Sequence, residues 1–231
     1  VQQLHNLREA WKKTRVQHIN LLRGILRELG VAAPSSTQAF LRQACELIER
    51  AEVCALRGAL QMVLAEISLC EQSMRDSEEQ LARWHADDDI VHKLDEVSGI
   101  GLLTASALKT AVGKPERFAS GRHLSAWLGM TPNEYSSGER RRLGCISCKG
   151  NTYVRTLLIH GARAALLAAK RCQTRTPERL TQLQRWALQT AERIGHNKAA
   201  VALANKLVRI CWAVWCHERR FSGDWQSARP A

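Results

Sequence analysis

The stretch from Val97 to Arg163 decides the fold, because small residues, hydroxyls and cations concentrate in it while its flanks show long helical periodicity. It opens with V-S-G-I-G (Val97–Gly101), passes through S-S-G-E-R-R-R (Ser136–Arg142) and reaches C-I-S-C-K-G-N-T-Y-V-R (Cys145–Arg155). Glycines admit close backbone approach, a serine can serve as a nucleophile, and cations attract phosphate. These residues together predict a DNA-handling domain with a candidate nucleophilic serine.

The V-S-G-I-G motif lies between two helical patterns, one running from Val91 and one from Leu102 to Leu108. A helix, a G-I-G turn and a second helix form a helix-hairpin-helix-like element, in which Gly99 and Gly101 let a phosphate approach the free N–H groups of the second helix. Cations follow closely, at Lys109, Lys114, Arg117 and Arg122. We predict contact with a nucleic-acid backbone here; a plain turn between two core helices is the alternative.

The serine loop, residues 131–150, contains Ser136 and Ser137 directly before Gly138. A serine hydroxyl is a weak nucleophile unless a base, a metal or a cationic setting activates it, and phosphoryl transfer needs cations on the transferring oxygens. Cations and a polar residue that suit phosphate are Arg140, Arg141, Arg142, Lys149, Asn151 and Arg155. Glu139 and His160 are the candidate bases. The alternative is a Ser-Gly turn on a basic surface loop.

Two long helical patterns, residues 2–29 and 36–84, precede this region. Gly30 suits the end of the first helix, and a capping box opening at Ser35 suits the start of the second. Two long helices joined by a short turn predict an antiparallel coiled-coil hairpin, residues 1–86, and we expect it to mediate self-association.

Residues 87–231 are predicted to form a compact helical domain that includes the serine loop and C-terminal helices at about 178–193 and 196–217. No strand-like alternation extends beyond a few residues, so the predicted fold class is all-α. The acidic run Asp87–Asp89 is interpreted as the start of a helix, because adjacent residues on a helix point in different directions and rarely converge on one ion.

Charge and composition narrow the partners. The 231 residues include 34 Lys and Arg against 22 Asp and Glu, a formal charge of +12. Nucleic acid is the first candidate partner and an anionic membrane surface the second. No apolar run reaches the roughly 18 residues of a spanning helix, and the N-terminus does not have the pattern of a signal peptide. The chain does not begin with Met, so we expect a fragment or a processed product.

Eight cysteines are interpreted as reduced thiols, mostly small core residues. Cys145 and Cys148 form one C-x-x-C, and Cys211, Cys216 and His217 lie near one another in sequence. A zinc site from these residues is the alternative, although a lone C-x-x-C without a second pair does not specify one. No metal ligand is therefore assigned.

Three motifs now carry a resemblance to a known family. V-S-G-I-G-L-L-T-A-S-A-L, R-F-A-S-G-R-H-L-S-A-W-L-G-M-T-P and Y-S-S-G-E-R-R-R-L-G-C-I-S-C-K-G-N-T-Y-V-R resemble the C-terminal domain of IS110/IS1111-type insertion-sequence transposases. The tail, G-H-N-K-A-A-V-A-L-A-N-K-L-V-R-I-C-W-A, is similar to the IS1111 branch, and the start resembles the helical arm before this domain.

The resemblance implies DNA transposition in which the serine of the S-G motif, Ser137 here with Ser136 as runner-up, attacks a DNA phosphodiester. It implies a RuvC-like domain holding Mg²⁺ that this chain lacks, so that the chain alone is inactive, and a non-coding guide RNA. It also implies a homo-oligomer (dimer or tetramer) in the bacterial cytoplasm, associated with the nucleoid and not with a membrane. Cys148 stands where the family has a cation.

Two readings without chemistry remain open at this point. The chain could be a DNA- or RNA-binding helical module, or a helical scaffold whose charge serves solubility. A covalent protein–DNA adduct separates the recombinase from both, and salt-dependent DNA binding separates the module from the scaffold.

Overall fold

A computed structural model describes residues 1–224, except for the side chains of residues 51–52. The chain divides into two compact units, Val1–Trp84 and His85 onward. Residues 225–231, which the sequence assigns to the second domain, lie outside the described residues. The all-α prediction is confirmed, since the elements of the described part are helices apart from one two-stranded sheet.

The first unit contains α1 (Gln2–Glu28), α2 (Thr37–Ile48) and α3 (Arg57–Trp84). Contacts between side-chain nitrogens and glutamate carboxylates join α1 to α3. Successive partners along α1 lie progressively earlier in α3, so the two helices run antiparallel. These pairs are Arg8 with Glu78 at 2.7 Å, Arg15 with Glu71 at 2.6 Å and His18 with Glu66 at 3.3 Å.

The single helix expected over 36–84 is broken at a 3-10 turn, Ala51–Leu56. No glycine or proline marks this break. Val53 turns into the core there with 1% of its surface exposed. Arg57 Nη2 donates to Glu49 O at 3.1 Å, which satisfies a carbonyl freed where α2 ends.

The caps of this unit differ slightly from expectation. The N-cap of α2 is Ser36 and not Ser35, and its hydroxyl accepts from the Ala39 N–H. Gly30 follows the end of α1 with φ of +74°, a conformation that favours glycine and stops the helix.

The second unit contains six α-helices of the described chain, two short 3-10 helices and the two strands. The α-helices are α4 (Asp89–Asp95), α5 (Leu102–Val112), α6 (Gly121–Trp127), α7 (Thr152–Arg175), α8 (Gln182–Ile194) and α9 (His196–Cys216). The strands are β1 (Pro132–Glu134) and β2 (Leu143–Ile146), paired antiparallel. The strands lie between α6 and α7 in the chain.

Helix α9 is the centre of this unit's core, with Leu203, Leu207 and Cys211 buried. It packs against α6, α7 and α8. Burial raises the pKa of the Cys211 thiol to about 12, so this cysteine behaves as a small core residue.

Two helical segments, Val53–Trp84 and His196–Cys216, are long and apolar enough to cross a membrane by length and composition alone. The second is the core helix α9. Core helices of soluble proteins commonly have this length and composition, so neither segment identifies a membrane span.

The V-S-G-I-G turn packs directly on α7. A Cβ added at Gly161 would overlap the carbonyl oxygen of Gly99, and one added at Gly99 would lie 2.9 Å from the Gly161 oxygen. Gly99 also has φ of +91°. The turn and the helix therefore need glycine at both positions.

Replacing Gly161 by Ala should lower the free energy of unfolding by ~3 kcal/mol, because the backbones must separate to admit the methyl group. Gly24, also inside a helix, is the matched control, since nothing lies within 4 Å of a Cβ added there. Gly24→Ala should be neutral or stabilising by up to about 1 kcal/mol through helix propensity. Urea unfolding followed by circular dichroism measures both, and equal behaviour of the two variants would contradict this packing.

Candidate nucleic-acid interface

The serine loop is a short β-hairpin, which corrects the irregular loop expected over 131–150. In the register of β1 and β2, Pro132 lies opposite Ile146 and Glu134 opposite Leu143, with one irregularity between them. Strands of three and four residues are too short for sequence alternation to reveal. Beyond the strands, the Tyr135 N–H donates to Arg142 O at 2.8 Å and extends the ladder.

The hairpin closes with a two-residue turn at Gly138 and Glu139. Ser137 N donates to Arg140 O at 3.2 Å, and Arg140 N donates to Ser137 O at 3.1 Å. Gly138 has φ of +56°, and Glu139 does not have a positive φ. This sign pattern matches a type II′ turn, in which glycine takes the first central position. The S-G dipeptide thus encodes the tip of the hairpin.

The Ser136 hydroxyl is engaged within the hairpin. It donates to Glu134 Oε1 at 2.7 Å and accepts from the Arg142 N–H at 3.1 Å. A hydroxyl donating to a carboxylate is also the arrangement of a nucleophile with its base. Glu134 is not one of the two candidate bases that the sequence suggests, Glu139 and His160. In extended chain, residues two apart share a face, and that spacing was the available signal.

The Ser137 side chain is exposed and makes no hydrogen bond to any residue within 1–224. Its backbone N–H and carbonyl both hydrogen-bond to the backbone of Arg140, whereas its hydroxyl is free to meet a ligand. The two serines therefore differ: one uses its hydroxyl to order the hairpin, and the other presents its hydroxyl to solvent.

Three consecutive exposed arginines follow the turn. Arg141 Nε lies 3.5 Å from Glu134 Oε1, with 73% of the arginine side chain exposed. Arg140 and Arg142 pair with no carboxylate in the described chain. The tip of the hairpin therefore carries cations that remain available to an anion.

The base of the hairpin is fixed by backbone contacts between residues 127–131 and 147–150. Cys148 N donates to Gly129 O at 3.1 Å, and Ser147 N donates to Thr131 O at 2.9 Å. Added Cβ atoms would overlap the Lys149 backbone at Gly129 and the Trp127 carbonyl at Gly150. Both glycines have positive φ, so other residues fit neither position.

Arg155 and Asn151 support this base, which corrects the expectation that Arg155 contacts nucleic acid. Arg155 is only 7% exposed, and its guanidinium donates to Leu128 O at 3.1 Å and to the Thr152 hydroxyl at 3.2 Å. Asn151 is the N-cap of α7, where its side chain accepts from the Val154 N–H at 3.0 Å. Sequence does not distinguish an arginine about one turn into a helix that faces inward from one that is exposed.

The residues of the predicted helix-hairpin-helix element divide into two groups. Gly99 packs on α7, and Lys109 lies 2.5 Å from Asp88. The remaining residues face open space or solvent: Gly101, Lys114, Arg117 and Arg122. Lys149 is exposed as well. These exposed positions keep the predicted phosphate contact possible.

A buried serine, a buried histidine and a partly exposed aspartate lie together at the start of the second unit. His85 Nε2 is 2.9 Å from Ser106 Oγ, and His85 Nδ1 is 2.9 Å from Asp88 Oδ2. Burial opposes ionisation of Asp88, but hydrogen bonds from Lys109, His85 and the Val91 N–H outweigh it and lower its pKa to about 2. Ser106 is fully buried, so this cluster joins the start of α4 to α5 and cannot reach a substrate.

The described residues do not fit a magnesium or zinc site. Across 1–224, no three His, Cys, Asp or Glu side chains lie close enough together to hold a metal ion. Asp88 caps α4 and is engaged by Lys109, and both Cys145 and Cys148 are exposed.

The two units differ in net charge. Residues 1–84 contain 11 basic and 10 acidic side chains, whereas residues 85–231 contain 23 basic and 12 acidic ones. The arginines of α1 that face α3 are paired with glutamates, as described above. The excess positive charge of the chain therefore belongs to the unit with the serine hairpin.

Residues 91–177 match the family described as "Transposase IS116/IS110/IS902 family". Three relatives align over nearly the whole chain. A "Probable family 20 transposase" of Pseudomonas aeruginosa is 35% identical over 222 residues, covering 94% of this chain and 64% of that protein.

The "Transposase for insertion sequence element IS1111A" of Coxiella burnetii is 33% identical over 225 residues, covering 96% of this chain and 60% of that protein. The "Transposase for insertion sequence element IS1328" of Yersinia enterocolitica is 32% identical over 224 residues, covering 95% and 64%. The chain thus spans less than two thirds of the length of these curated relatives.

Binding of the chain to a duplex oligonucleotide should weaken steeply with salt, because phosphate neutralisation releases counterions. Replacing Arg140, Arg141 and Arg142 by Ala should weaken binding to all sequences alike and reduce the salt slope by about one for each arginine that contacts a phosphate. The matched control replaces Arg8 and Arg15, whose glutamate partners occupy them. A flat salt response, or an equal effect of the control, in fluorescence anisotropy titrations would contradict the assignment.

Proposed function

We propose that this chain takes part in DNA transposition, because it belongs to the IS116/IS110/IS902 transposase family through residues 91–177. We further propose that Ser137 attacks a DNA phosphodiester. The family membership supports DNA as the substrate. The hairpin geometry supports the choice of residue.

In the proposed step, a bond forms between Ser137 Oγ and the phosphorus, and the bond from phosphorus to one sugar oxygen breaks. The serine proton leaves the hydroxyl, and the departing sugar oxygen takes up a proton. The product is a covalent protein–DNA phosphodiester and a free DNA end. The step exchanges one phosphodiester for another. A second attack by a DNA hydroxyl on the serine phosphodiester can therefore rejoin the strand.

The observation that carries this proposal is the difference between the two serines. The backbone of Ser137 is tied to Arg140 at the tip of a tight turn, while its hydroxyl is exposed and unpartnered within the described chain. The Ser136 hydroxyl instead bridges Glu134 and the Arg142 N–H. We assign Ser136 a positioning role, in which it holds the strand that leads into the turn.

The arginines of the turn suit the charge that develops during attack. A transferring phosphoryl group carries negative charge on its non-bridging oxygens, and preorganised cations lower the barrier by stabilising it. Arg140 directly faces Ser137 across the turn. Arg142, two residues further on and directly before β2, presents a further exposed cation.

Other parts of the machinery lie outside the described residues in this proposal. We propose that Mg²⁺ is held by a RuvC-like domain elsewhere in the protein or in a partner, and that this chain alone is inactive. A non-coding guide RNA, a homo-oligomer formed through the first unit, and action on DNA in the bacterial nucleoid are further proposals. They rest on the family resemblance.

A non-catalytic nucleic-acid-binding module is the second candidate function. The concentration of positive charge in the second unit favours it, since binding alone needs no nucleophile. It predicts salt-dependent binding with no covalent product under any condition.

Formation of a covalent protein–DNA adduct tests the first candidate. The chain is fused to the part of a relative's sequence with which it does not align. The fusion protein is then incubated with Mg²⁺, element ends and guide RNA. Ser137→Ala should abolish the adduct on a denaturing gel while leaving DNA binding intact. Ser136→Ala should slow adduct formation several-fold without abolishing it, because the hairpin loses two hydrogen bonds and keeps its nucleophile.

Two results would overturn this assignment. An adduct that persists in Ser137→Ala and vanishes in Ser136→Ala would make Ser136, with Glu134 as its base, the nucleophile. An adduct that survives both substitutions would exclude a serine mechanism on this hairpin.

A further inference from the structure

Trp127 is an exposed aromatic residue at the end of α6, with 43% of its surface accessible. The Phe118 ring contacts it edge-on, with centroids 5.5 Å apart and an interplanar angle of 61°. This contact braces the indole in one orientation. The ring is therefore both accessible and held in place.

Other tryptophans of the second unit are already engaged. Trp212 Nε1 donates to Pro115 O at 3.2 Å, and Lys206 covers the face of Trp186 at 4.2 Å from the ring centroid. Trp215 is only 8% exposed. The Trp127 indole, by contrast, makes no hydrogen bond within residues 1–224, and no cation covers it there.

Cations lie on and next to the short helix that ends at Trp127. Arg122 lies on the same short helix, and the backbone of Arg209 packs against the first residue of that helix, Gly121. The other cations near this helix are Arg117 and Lys149, and all four are exposed without an ion pair in the described chain. Between Val97 and Asn133 the sequence contains a single acidic residue, Glu116.

We propose that Trp127, braced by Phe118, is a stacking platform for an unpaired base of single-stranded nucleic acid, with the surrounding cations on its phosphates. This inference rests on the proposed function, which makes nucleic acid the substrate. Bases of an intact duplex stack on one another and leave no face for an indole, so the platform selects unpaired strands. Charge complementarity distinguishes this occupant from an apolar protein surface.

The platform is joined rigidly to the serine hairpin. A Cβ at Gly150 would overlap the Trp127 carbonyl, so the Lys149–Gly150 backbone lies against the end of α6. The same segment continues back into β2. A base held on Trp127 would thus anchor an unpaired strand at the base of the hairpin that presents Ser137.

The test compares a fluorescein-labelled single strand of roughly 15 nucleotides, within the site sizes of single-strand binders, with its blunt duplex by anisotropy. Trp127→Ala in the full chain should weaken single-strand binding by about 5- to 100-fold and duplex binding by less than about twofold. Trp127→Phe should retain most single-strand affinity, whereas Trp127→Leu, which keeps apolar volume, should not. The matched control is Trp84→Ala, at a tryptophan of the first unit that is 69% exposed.

Equal losses on both probes, no loss on the single strand, or full affinity in Trp127→Leu would overturn the platform. A change in sedimentation of Trp127→Ala with unchanged single-strand binding would also overturn it, because the face would then contact a protein. The adduct assay separates the two proposals. If the Ser137 adduct forms and Trp127→Ala does not weaken single-strand binding, only the platform is overturned. If Trp127→Ala selectively weakens single-strand binding and no adduct forms, only the nucleophile is overturned.

Discussion

The second unit depends on the close backbone approach between residues 127–131 and 147–150. Gly129 and Gly150 permit it, since both adopt positive φ and a side chain at either position would overlap the opposite backbone. Hydrogen bonds from Ser147 and Cys148 close the contact, and Arg155 satisfies the Leu128 carbonyl beneath it. This contact ties the hairpin to α6 on one side and to the start of α7 on the other.

The consequence is a division between fixed backbone and free functional groups. At the tip, the Ser137 backbone is paired and its hydroxyl is not, while Arg140 and Arg142 keep their charge exposed. At the base, Trp127 is held by Phe118 on one edge and open elsewhere. In the proposed function, preorganisation of this kind lowers the entropic cost of binding and orienting a strand, because the groups proposed to meet it are already in position. The first unit, residues 1–84, has nearly equal numbers of basic and acidic side chains.

The sequence supported the fold class and the family resemblance because helical periodicity and motifs such as V-S-G-I-G and S-S-G-E-R-R-R are local signals. It also predicted a loop at Ser137 and Gly138, where the structure has a hairpin turn. It failed where tertiary contacts decide. Nothing local shows that Arg155 turns inward to Leu128, that Gly99 meets Gly161, or that α2 and α3 are separate helices. The Glu134–Ser136 bond was within reach, since residues two apart in extended chain share a face. The proposed role of Trp127 rests on the exposure of its ring, which helical periodicity does not predict.

Native-state hydrogen exchange at Ser147 and Cys148 tests the rigid base most directly. These amides donate to Thr131 and Gly129 across the glycine contact. We expect them to exchange as slowly as amides of the α9 core, while the tip amide of Glu139 exchanges at nearly the free rate. Exchange of Ser147 and Cys148 as fast as that of Glu139 would mean that the hairpin is not anchored, and would contradict the account of how Ser137 is presented.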